Sequence, residues 1–97
     1  MVANGVRGEV VAKLAGSRRR LCLTLGALAE METALACEGL GALSERMRAL
    51  SAGDLMAVLA ALLRGGGEDA LAEQLAEAPV DPREAAEAVA MAFAAVV

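Results

Sequence analysis

Apolar residues recur at two spacings along the chain, and the spacing changes inside one stretch, Arg19 to Leu35 (RRLCLTLGALAEMETAL). Leu21, Leu23 and Leu25 alternate with Arg20, Cys22 and Thr24, the every-second-residue pattern of a half-buried strand. From Leu28 the interval lengthens to Leu28, Met31 and Leu35, one stripe of a helix with Glu30 on the opposite side and Glu32 at its edge. The pattern predicts a strand running directly into a helix. Gly26 falls at the junction, where a residue without a side chain lets the backbone turn and lets helix and sheet approach closely.

Upstream, Gly8 to Leu14 (GEVVAKL) sets Val10, Ala12 and Leu14 on one face and Glu9, Val11 and Lys13 on the other. This is the expected first strand. Ala15 to Arg18 form a Gly-containing connection to the second strand, Arg19 to Leu25, so the expected unit is an antiparallel hairpin. Two strands are marginal alone in water, so the leucine face requires helices over it, or the edge another strand.

Downstream, the first helix is expected to end near Cys37 to Gly39. Leu40, Leu43, Met47 and Leu50 make a second stripe, with Glu45 and Arg48 facing away. Ser51 followed by Asp54 has the form of a capping box and starts a third helix. Leu55 to Leu63 (LMAVLAALL) has no polar residue on any face, the pattern of a helix surrounded by neighbours, which places it at the centre. Gly65, Gly66 and Gly67 then end it and read as a hinge. Glu68 to Ala78 is a weak fourth helix whose large apolar residues are Leu71 and Leu75, so shallow packing is expected. Asp81, Pro82 and Glu84 are an N-cap, a first-turn proline and an acid, and they start the last helix. There Val89, Phe93 and Val96 are expected to face the core, with Met91, Ala94 and Ala95 on the other side. That second face is either ordinary core of an Ala-rich bundle or a surface covered by another chain.

The expected fold is α+β, an N-terminal β-hairpin (residues 7–25) packed on a bundle of about four helices (residues 26–97), as a single domain. Its composition, 58% apolar with one Phe and neither Trp nor Tyr, means a core of Leu, Val, Met and Ala. A net charge of −4 and the lack of stacking aromatics argue against a nucleic-acid partner. The N-terminal stretch has no apolar signal core, and the longest apolar runs are too short to span a bilayer, so a cytoplasmic protein without membrane contact is expected.

Candidate chemistry is sparse. The chain has no histidine, and Cys22 and Cys37 lack a CxxC spacing, so neither a metal site, a cofactor site nor a catalytic triad has candidate members. A thiol mechanism at Cys22 or Cys37 requires a lowered pKa, for which Arg20 is the sole neighbouring support in sequence. The glycine triplet lacks the preceding strand and the lysine of a phosphate loop. Arg18, Arg19 and Arg20 read as a solvated hairpin end, and the carboxylates, Glu68 among them, fall mostly on exposed faces.

Four segments, RGEV at Arg7 to Val10, LTLGALAE at Leu23 to Glu30, Asp54 to Leu63 followed by RGGGED, and the Ala-rich last helix, resemble the small tail proteins of gene transfer agents and related bacteriophages. Members of that family have been labelled both tail tube proteins and tail assembly chaperones. The resemblance implies a non-catalytic protein whose partners are other tail proteins. As a chaperone it would mask apolar surface of the tape-measure protein and recruit tube subunits. As a permanent tube component it would remain in the particle. A homo-oligomer is compatible with either. The residues expected to meet a partner, inferred from the apolar surface and not from the family, are Met91, Phe93 and Val96, with Met47 and Met56 behind them.

Overall fold

The computed structural model describes residues 8–96; the lead-in through Arg7 and the terminal Val97 lie outside the described residues. Strands β1 (Glu9–Leu14) and β2 (Ser17–Cys22) form the hairpin, in the register Leu14 opposite Ser17 through Glu9 opposite Cys22. The connection is the two-residue turn Ala15–Gly16, tighter than expected. Both residues have positive φ, 52° and 82°, the handedness of a hairpin turn that follows the natural twist of its strands. Five helical segments follow: α1 (Leu25–Leu35), α2 (Gly39–Arg46), α3 (Ala52–Gly65), the one-turn α4 (Asp69–Glu73) and α5 (Pro82–Ala94). The fold is α+β, as the spacing predicts.

Two expectations at the strand-to-helix switch need correction. β2 ends at Cys22, and Leu25 opens α1 with its side chain 83% exposed, so it belongs to no strand face. Local capping decides this: the Thr24 hydroxyl accepts the Ala27 amide at 3.0 Å and fixes the helix start. Leu21 and Cys22 are both buried, because β2 has α3 beside it as well as the helices beneath it. Gly26 lies inside α1 and makes no close approach to the sheet.

The close approach occurs at Gly65 and Gly66. A Cβ on Gly65 would collide with the Cys22 carbonyl, and one on Gly66 with the backbone of Arg20. Gly67, at φ +87°, completes the terminus of α3: its amide bonds Arg64 O and the Glu68 amide bonds Leu63 O, the paired pattern of a Schellman motif.

α3 is central, touching α1, β2, α4 and α5. Six consecutive residues, Val58 to Leu63, are buried, and removing Leu59, Leu62 and Leu63 from water stabilises the fold by about 2 kcal/mol each. Packing of this segment is deeper than expected: Leu71 and Ala72 of α4, and Leu75 in the turn after it, are buried against the core. α5 lies across the hairpin and α3 through Ala85, Ala88, Val89 and Ala92, small residues that permit close approach. Val96 falls beyond the helix end and is 42% exposed, which corrects its assignment to the core.

Candidate functional site

An apolar depression lies between the α2–α3 junction and α5. Met47, Leu50 and Leu55 form one wall, Val89 and Phe93 the other, with Ser44, Ala86 and Ala90 completing a groove of about 400 Å³. Each wall is anchored by local chemistry. Ser51 Oγ accepts the Asp54 amide at 3.1 Å and starts α3. The Asp54 carboxylate does not return to the cap but binds the Arg46 guanidinium at 2.7 Å, tying the end of α2 to the start of α3. On the other wall, Asp81 Oδ1 accepts the Arg83 amide at 2.8 Å and Pro82 opens α5. The groove therefore sits beside the capped starts of α3 and α5, and its only polar lining side chain is the Ser44 hydroxyl.

Of the five residues expected to meet a partner, the structure brings Met47 and Phe93 together in this groove. Met56, 40% exposed, lines a smaller neighbouring hollow with Leu59, Leu75 and Val80, joined to the groove through the shared Leu55. Met91 stands elsewhere, beside Val11, Ala12 and Lys13 of β1, and Val96 lies against Gly8. Sequence periodicity misses Leu50, Leu55 and Val89 as groove residues, because it marks them as core. They are core residues at the boundary of the core, and only the gap between α2 and α5 turns them into a wall.

Several polar contacts tie elements of the fold together. Glu68, expected on an exposed face, is tucked against β2, where Oε2 accepts the Arg20 amide and the carboxylate faces the Arg19 and Arg20 guanidiniums at 3.6 and 3.9 Å. The basic hairpin end is thus partly engaged within the molecule. Desolvation by burial, and secondarily the charge of Glu9, push the Cys22 thiol above its ordinary pKa, opposite to what a reactive thiolate requires. Among the described residues no cluster of His, Cys, Asp or Glu is arranged to hold a metal ion, and no helix is long and apolar enough to cross a membrane.

A family model described as phage tail tube protein, GTA-gp10, matches residues 7–97. The chain belongs to this family. The segments that carry its resemblance to such tail proteins serve the fold directly: LTLGALAE holds the Thr24 cap and the first turns of α1, and RGGGED holds the α3 terminus and Glu68. Both are structural junctions, so membership places the chain in a phage and gene transfer agent tail family without assigning it a reactive group. No curated protein and no solved structure matches the chain at a significant level.

Proposed function

We propose that this chain is a tail assembly chaperone: a non-catalytic protein that masks apolar helical surface of the tape-measure protein in the cytoplasm and recruits tube subunits around it. The observation carrying this reading is the groove bounded by Met47, Leu50, Leu55, Val89 and Phe93. Methionine adapts its unbranched side chain to varied contacts, and Ala86 and Ala90 on the α5 wall leave room for a helix to approach. A second argument is architectural. A tube subunit must close a ring and stack on the next through extended β-structure, whereas the described residues offer one two-stranded sheet. Catalysis by Cys22 is disfavoured by the burial that raises its thiol.

The permanent tube component is the second reading, and the description of the matching family as a tail tube protein favours it. Co-expression with the tape-measure protein separates the two. On the chaperone reading the client becomes soluble and co-elutes with this chain, and Phe93→Asp with Met47→Asp abolishes rescue while the circular dichroism spectrum is retained. Absence of rescue by the unmodified chain, together with its presence in purified particles, establishes the tube reading instead.

A further inference from the structure

The hairpin has two edges, and the fold treats them differently. Along β2 the outer edge is closed. The Arg20 amide is taken by Glu68, and Gly65 and Gly66 lie against the carbonyls of Cys22 and Arg20. Those contacts also establish which way the ladder faces. An Arg20 amide directed away from β1 makes Arg20 and its partner Val11 a pair not hydrogen-bonded to each other, so Val11 also directs its amide and carbonyl outward, on the far side of β1. Lys13, two residues on and opposite Arg18, does the same. No third strand pairs with β1 among the described residues. The edge carries neither proline nor bulge, two common devices that prevent strand addition.

The side chains on this edge are self-complementary. Glu9, Val11 and Lys13 share the outward face, with an acid and a base placed symmetrically about Val11, which is 42% exposed. A two-fold axis at Val11 puts each Val11 opposite its copy and each Glu9 opposite the Lys13 of the other chain. Moving the axis to Glu9 or Lys13 puts like charges opposite one another, which is unfavourable. Beside the edge, Met91 on α5 is 45% exposed and lines a shallow groove with Val11, Ala12 and Ala88, bordered by Glu84, Glu87 and Lys13. An added strand would cover it.

We infer that β1 pairs antiparallel with β1 of a second copy, about a two-fold axis at Val11, to give a continuous four-stranded sheet. The occupant is a second copy because the edge complements itself in charge. This surface is separate from the α2–α5 groove, so the inference does not rest on the chaperone reading, and the dimer carries two such grooves.

The test is sedimentation equilibrium of the full chain over a range of concentrations. The unmodified protein sediments as a reversible dimer. Val11→Pro removes an amide that the β1–β2 ladder does not use, and the dimer dissociation constant rises roughly tenfold or more. Glu9→Lys or Lys13→Glu alone weakens association by setting like charges opposite, whereas an equimolar mixture of these two variants associates again, as a heterodimer. Should Val11→Pro impair folding, the charge reversals and their mixture still decide. A monomer at every concentration overturns the inference, as does a dimer indifferent to both kinds of substitution. A monomer that instead uses Val11 to bind a tail protein overturns it in favour of a different strand donor. A dimer weakened by Val11→Pro but not re-formed selectively in the mixture overturns the Val11-centred register.

Discussion

Glu68 closes the outer edge of the hairpin from across the fold: its Oε2 accepts the backbone amide of Arg20 at 3.1 Å, at a sequence separation of 48 residues. The same carboxylate faces the Arg19 and Arg20 guanidiniums and is mostly shielded from water, so one side chain both satisfies an edge amide and offsets two positive charges. Glu68→Ala should lower stability by about 1 to 2 kcal/mol, the order expected for a hydrogen bond to a charged acceptor. Glu30→Ala breaks an exposed pair with Arg64 at 3.0 Å and should cost less than about 0.5 kcal/mol. Urea unfolding of the two variants side by side measures the difference, and equal losses would contradict the edge-closing role.

The terminus of α3 makes a sharper prediction. A Cβ at Gly65 or Gly66 meets β2 backbone, which cannot move without disturbing the ladder, so Gly65→Ala and Gly66→Ala should each destabilise by roughly 2 to 3 kcal/mol. Gly41, inside α2, faces open space, and Gly41→Ala should stabilise by up to about 1 kcal/mol through helix propensity. Thermal melts should therefore shift in opposite directions for the same chemical change.

Ala15 occupies a left-handed conformation in the hairpin turn, at φ 52°, although it has a side chain. That conformation costs an ordinary residue about 1 kcal/mol, and asparagine tolerates it better. Ala15→Asn creates the favoured Asn-Gly turn with Gly16 and should raise the stability by about 0.5 to 1 kcal/mol, read as an increase in the unfolding midpoint. An unchanged or lower midpoint would count against strain at this turn.

Burial raises the native Cys22 thiol above its unfolded value, so the unfolded chain releases this proton first as pH increases. The associated stability is complete below the ordinary thiol pKa and is lost progressively from there up to the native pKa. The unmodified protein should become less stable across that alkaline window, and Cys22→Ala should show a flatter pH dependence. A thiol reagent should modify half-buried Cys37 before Cys22, which mass spectrometry of the partly labelled protein resolves.

What could be read from the chain was local. Ser51 and Asp81 announce their helices because a cap is written within three or four residues, and the apolar run of α3 identifies the central helix without reference to its neighbours. At Leu25 the every-second-residue spacing of a strand and the first position of a capped helix coincide, and the Thr24 hydroxyl, not hydrophobicity, decides between them. Glu68 reaching Arg20, and Gly65 lying against Cys22, depend on where α3 ends relative to the sheet, which no window of sequence contains. The groove is intermediate. Met47 and Phe93 were visible as adaptable apolar residues, while their meeting, and the separation of Met91 and Val96 from them, follows from how α5 crosses the fold.

Phe93 is the only aromatic residue in the chain, and it lies in the wall of the groove. Every ring-current perturbation in the proton spectrum of this protein consequently originates from that wall, and so does every aromatic carbon resonance. An occupant settling against Phe93 would receive upfield-shifted methyl signals from a single known ring, and the molecule thereby carries its own spectroscopic reporter at the place where a client would bind.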